Sequence, residues 1–176
     1  MTQPSPFERS VCDCEECQIP CRTMPGCLIP GDLERILAYV KPEKDLPFIA
    51  ANFLASEGAL VATVAANGQP VATRVPTIVP AVQENGACVF YESGRCSIHE
   101  VSPAGCALQD SHHEGHEISV WIVRQQMQSH QTYAWYTEVL EFLATLGQIA
   151  EPLSVRKQRL ERMFDEHELH RAQSTS

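Results

Sequence analysis

Five cysteines fall within sixteen residues, as Cys12-x-Cys14-x2-Cys17-x3-Cys21-x5-Cys27, and three more follow at Cys88, Cys96 and Cys106. Two thiols separated by two residues, as in Cys14-Glu15-Glu16-Cys17, reach one tetrahedral metal from a single turn, and so this spacing recurs in zinc and iron–sulfur sites. The later group is spaced around two turn signals, Ser93-Gly94 and Pro103-Ala104-Gly105. If the fold joins the groups, eight thiols exceed the four that one closed site needs. They suffice for two four-thiolate sites, or for one cluster with ligands to spare. Scattered cysteines read as small apolar side chains; a density this high points to metal. Thiolates suit an iron–sulfur cluster or zinc, and spacing does not choose between them.

Histidines add donors just after Cys106, in Asp110-Ser111-His112-His113-Glu114-Gly115-His116-Glu117. Neutral imidazole binds zinc and iron, and an adjacent carboxylate can orient the ring. His112 is therefore a candidate ligand, with His113 as its alternative; Gly115 interrupts the helix that would align His112 with His116. His99, three residues after Cys96, reads as an outer partner or a surface residue. No GxGxxG, P-loop or GxSxG pattern is present. The formal charge of -9 argues against a nucleic-acid partner, because phosphate binding needs surplus Lys and Arg. Apolar runs are too short for a membrane span. The opening Met1-Thr2-Gln3-Pro4-Ser5-Pro6 lacks the basic start and apolar run of a signal peptide. A cytoplasmic location is expected, and there clustered thiols hold metal or act in redox more often than they form disulfides.

The run Cys14-Glu15-Glu16-Cys17-Gln18-Ile19-Pro20-Cys21 resembles the CxxCxxCC signature of the zinc- or iron-chelating cysteine-cluster family (YkgJ-like), with Pro20 where that family has its third cysteine. Gly86-Ala87-Cys88-Val89-Phe90, Arg95-Cys96-Ser97-Ile98-His99-Glu100 and Ser102-Pro103-Ala104-Gly105-Cys106 resemble its later blocks, the last with Ser102 in place of Arg. Pro25 to Ile36 resembles the lead into its first helix. The likeness covers roughly Cys12 to Asp110. It implies metal chelation by Cys14, Cys17, Cys21, Cys88, Cys96 and Cys106. Cys12 and Cys27 lie outside the signature, and either could replace the thiol missing at Pro20.

The elements that must position these donors are read from periodicity. Pro20 and Pro25-Gly26 predict loops and turns for residues 12–27. Asp32 is read as the N-cap of a helix with Leu33, Ile36, Leu37 and Val40 on one face. A second helix begins after Asp45, with Leu46, Ile49, Ala50, Phe53 and Leu54 at helical spacing and Pro47 in its first turn. Ala59 to Ala65 and Val71 to Val79 predict a hairpin through Asn67-Gly68, with Pro76 and Pro80 marking an edge or an early end. A third short strand is expected over Ala87 to Tyr91. Glu117 to Leu146 reads helical, its stripe running through Tyr133, Tyr136, Leu140 and Leu143 to a stop at Gly147. Trp121, Tyr133, Trp135 and Tyr136 are read as helix packing rather than a cofactor site. A last helix spans Pro152 to about Arg171. At 176 residues, with 44% apolar and 20% charged side chains, this is one domain. Its cysteine core covers about 12–110 and a helical part follows over about 111–171.

The expected fold class is α+β and mostly helical, with a short antiparallel hairpin and metal-binding loops packed against four or five helices. Three functions compete. The favoured one is an iron–sulfur protein in electron transfer or small oxidoreductase chemistry, working with a redox partner protein or a small-molecule substrate. The others are a structural zinc protein that binds a partner, and a metal-dependent enzyme of secondary metabolism or peptide modification.

Overall fold

A computed structural model describes residues 14–64, 67–110, 112 and 130–174. The fold is α+β and mostly helical, and its described residues contain six α-helices, one of them only four residues long. The cysteine segment corrects the loop expectation, because α1 runs Glu15–Thr23 straight through Pro20. Cys14 is its N-cap, with extended backbone and a thiol that accepts from the Cys17 N–H at 3.5 Å. Glu15 and Glu16 occupy the first turn, where carboxylates suit the helix dipole. A proline inside a helix costs about 3 kcal/mol. Burial of Ile19, Pro20 and Thr23 against the domain offsets that cost.

Two short helices follow, α2 (Asp32–Val40) and α3 (Asp45–Asn52). The N-cap of α2 is Gly31, at φ 96°, rather than Asp32. Asp32 is fully buried, and its carboxylate accepts from the N–H groups of Ile29 (2.9 Å) and Ala104 (2.8 Å) and from the Arg35 guanidinium. Phe53 and Leu54 do not end α3 as expected. Phe53 is its extended C-cap and the first residue of β1 (Phe53–Val64).

Strand β1 pairs antiparallel with β2 (Pro70–Pro80), from Phe53 opposite Pro80 to Val64 opposite Pro70, a longer hairpin than the sequence suggests. The register shifts between Ser56 and Ala59. Pro76 lies opposite that bulge, where its missing N–H breaks no ladder bond. Gly58 is required there: its φ is 109°, and a Cβ would sit 1.7 Å from the Val75 carbonyl oxygen. The third strand expected over Ala87 to Tyr91 is absent among the described residues. Cys88 instead makes a single bridge to Val82, and β3 (Tyr91–Glu92) turns through Ser93-Gly94 onto β4 (Arg95–Cys96). Both turn residues have positive φ, 50° and 82°, as tight hairpins prefer. A 3-10 turn (His99–Val101) leads into α4 (Ala104–Ala107).

Helix α5 covers His130–Thr145; the expected stretch from Glu117 to Ser129, with Trp121, lies outside the described residues. Tyr136 and Leu143 are buried as the stripe predicts, whereas Tyr133 is 46% exposed. Gly147, at φ 72°, ends this region, and Gln148 and Ala150 then pair with Ala55 of β1. The last helix, α6, runs Leu153–Ser174 and packs on α1 and β1. The core joins Leu28, Leu33, Ile36, Ile49, Phe53, Ile78, Phe90, Ile98, Tyr136, Val139 and Leu143. Within it the Tyr136 hydroxyl donates to the Leu28 carbonyl and accepts from the Ile78 N–H, each at 2.8 Å. Among the described residues no helix is long and apolar enough to cross a membrane.

Candidate metal centre

Positions 14, 17 and 21 stand at i, i+3 and i+7, so α1 presents the three signature thiols along one face. The chain then brings the second cysteine group to that face by backbone contact. Gly26 and Gly105 meet without side chains between them: a Cβ on Gly26 would lie 2.1 Å from the Cys106 nitrogen, and one on Gly105 would lie 2.3 Å from the Cys27 nitrogen. Across this contact the Gly105 N–H donates to the Cys27 carbonyl (2.9 Å), and the Gly26 N–H donates to Cys106 Sγ (3.3 Å). The Asp32 carboxylate holds the same two segments through Ile29 and Ala104. Cys88 is tied separately, its N–H donating to the Cys21 carbonyl at 2.7 Å.

The result is one pocket of about 210 Å³ lined by Cys17, Cys21, Cys88, Cys96 and Cys106. Pro20, Phe90 and Ile98 supply apolar wall, and Arg95, His99 and Asp110 supply polar groups. Burial pushes the Cys88 thiol up to about 12, opposed by the Phe90 backbone N–H and reinforced by the neighbouring Cys96 and Cys21. Without a cation beside it, Cys88 stays protonated at neutral pH. A bound metal would supply the missing positive charge, and its binding would be coupled to loss of that proton.

At the pocket mouth, Cys14, Cys17 and His112 place one ligand atom each within 4.8 Å of the others. Cys14 Sγ is 3.6 Å from His112 Nε2. Asp110 lies alongside: its Oδ1 accepts from the Cys17 thiol at 3.8 Å and from the His112 N–H at 3.0 Å. Helix α6 braces this end of α1, with His167 3.4 Å from Glu15 and 3.7 Å from Glu16, and with Arg171 paired to Glu16.

The candidate donors thus divide by place. Cys17, Cys21, Cys88, Cys96 and Cys106 share the pocket, and Cys14 and His112 stand at its mouth. Cys27 is not among the pocket's lining residues. Burial, with the Asp32 charge second, raises its thiol to about 11; its own backbone N–H and Arg156 oppose the rise. Cys12, His113 and His116 lie outside the described residues. His99, read as an outer partner, lines the pocket. Sequence reasoning missed Asp110, although its place two residues before His112 was the available signal. It also missed Gln18, whose side-chain oxygen accepts from the Tyr91 hydroxyl at 2.7 Å on the pocket wall. Comparison with protein-family models, with curated proteins and with solved structures finds no match to this chain.

Proposed function

We propose that the pocket holds a polynuclear iron–sulfur cluster on cysteine thiolates, and that the protein carries electrons or acts as a small oxidoreductase. The observation that carries this reading is the convergence of five thiols from both cysteine groups on a single pocket of about 210 Å³. Zinc on four thiolates, at Zn–S distances of about 2.3 Å, needs no cavity beyond the ion itself. The donor set fits a cluster: it is soft, exceeds four in number and is walled by apolar residues.

Bound, a cluster would supply one-electron transfer at a potential set by burial and by hydrogen bonds to its thiolates. The chain's own groups then have definite tasks. The Gly26 N–H aimed at Cys106 Sγ stabilises negative charge on that sulfur. Pro20, Phe90 and Ile98 keep water from the inner wall, while Arg95 and His99 offer donors to a small substrate or to the surface of a redox partner protein. A reducing cytoplasm would keep such thiols available.

Anaerobic purification tests the reading. The expected protein is brown, absorbs near 400 nm and carries about four iron and four sulfide per chain. A colourless protein with zinc and no sulfide would overturn it in favour of a structural zinc protein that binds a partner. The compact Cys14, Cys17 and His112 group is the feature that suits this second reading.

A further inference from the structure

Four thiols suffice for a cluster, and five line the pocket. Cys17 is the one that both lines the pocket and belongs to the compact group at its mouth. We propose that Cys14 Sγ, Cys17 Sγ and His112 Nε2 form a second, mononuclear site for a divalent ion of the zinc class, with the Asp110 carboxylate alongside. This rests on the cluster reading only in leaving Cys21, Cys88, Cys96 and Cys106 to the pocket.

The local structure prepares these donors. Cys14 caps α1 and Cys17 ends its first turn, so one turn of helix carries both sulfurs. The Cys17 N–H points at Cys14 Sγ from 3.5 Å. Asp110 Oδ1 receives the Cys17 thiol and the His112 backbone N–H, so one carboxylate ties the two chain segments together. His112 is exposed and Cys14 only partly buried, so an ion reaches this site from solution without opening the core. Loading balances simply: the ion enters, and the Cys14 and Cys17 thiols release one proton each to solvent, the Cys17 proton leaving by way of the Asp110 oxygen that accepts it. Two thiolates and one imidazole form a mixed set that suits zinc or cobalt, with the fourth position left to water.

Cobalt(II) titration of the full chain, after anaerobic cluster reconstitution, reads the site directly. The expected result is one further cobalt per chain, with thiolate-to-cobalt absorption and the visible bands of a four-coordinate ion. His112→Ala, at an exposed position, should weaken cobalt binding at least about tenfold and leave iron content unchanged. Cys14→Ser should do the same, since a serine hydroxyl still caps the helix. Cobalt bound equally well by His112→Ala overturns the proposal. So does loss of iron in Cys14→Ser, which would put Cys14 in the cluster. If the chain takes up no iron, the titration still decides, now with Cys21→Ser. Tight cobalt binding that needs His112 but not Cys21 supports the second site, and dependence on Cys21 overturns it.

Discussion

Cys106 and Cys88 line one pocket yet are prepared in opposite ways. A backbone N–H points at the first sulfur, whereas burial holds the second in its neutral form up to about pH 12. Cys27 resembles Cys88 in this respect without sharing the pocket. Since the thiolate is the reactive form, a thiol that titrates near 11 is only about one part in a thousand ionised at pH 8. In metal-free protein, mass spectrometry after brief alkylation at pH 8 should therefore find Cys27 and Cys88 modified last. Early modification of Cys27 would contradict its burial. The same shift has a stability consequence. The folded chain binds the Cys27 proton more tightly than the unfolded chain, so this contribution is intact below about pH 9 and is lost as pH rises through about 11. Its size is on the order of 3 kcal/mol. Denaturant curves of the metal-free chain and of Cys27→Ser should diverge over that window, with the wild type losing more stability. For metal itself the order follows position: Cys96→Ser should lose most bound iron, and Cys27→Ser little.

At the scale of elements, the contact between Gly26 and Gly105 joins the two halves of the pocket. Gly26→Ala would put a methyl group 2.1 Å from backbone atoms that no rotamer change can move. Separation of the segments should then cost several kcal/mol and most of the bound metal. Gly147→Ala is the matched control, because a Cβ there meets open space away from the pocket and pays only for its positive φ, about 1–2 kcal/mol. Metal analysis and thermal melts of both variants decide it, and equal metal content would remove the contact from any role in the site. Neither glycine stood out in the sequence beyond marking a turn, because the partner that makes each one necessary is nearly eighty residues away. Helices α2 and α3, the buried stripe of α5 and the hairpin were legible, since each repeats its pattern locally. Helix α1 was not. Pro20 argues against it locally, and tertiary burial of Ile19 and Thr23 outweighs that signal. The strand expected at Cys88 failed for a similar reason: its N–H goes to Cys21 rather than to a neighbouring strand. The donors themselves were legible by type, but their division between pocket and mouth required the fold.

For the whole molecule, the core and the pocket meet at Cys88, Phe90 and Ile98, while most of the core lies away from the thiols. Leu33, Ile36, Phe53, Ile78, Val139 and Leu143 bury apolar surface that owes nothing to a metal, and each fully buried side chain contributes about 1.5–3 kcal/mol. Helix α6 is fixed to β1 independently of the thiols, with the buried Arg156 guanidinium donating to Ser56 Oγ at 2.7 Å and to the Glu151 carbonyl at 3.0 Å. The walls of the pocket are anchored in that core at separate points, through Leu28, Phe90, Ile98 and Val101, and have less support between them. Segment 24–31 and the turns from Tyr91 to Ala107 hold together through a handful of backbone bonds, the glycine contact and Asp32. Metal that binds only the folded arrangement adds its binding free energy to stability. Its removal should therefore loosen the walls before it unfolds the core. After anaerobic chelation, amide exchange should accelerate at residues 14–31 and 86–110, while the central pairs of β1 with β2 and the buried face of α5 keep their protection. The melting temperature should fall by roughly 2–4 °C for each kcal/mol of stabilisation lost, the scaling for a chain of this length. Uniform acceleration across the sheet and α5 would show that core and pocket form one cooperative unit. Unchanged exchange in both segments after complete metal removal would leave metal no structural role.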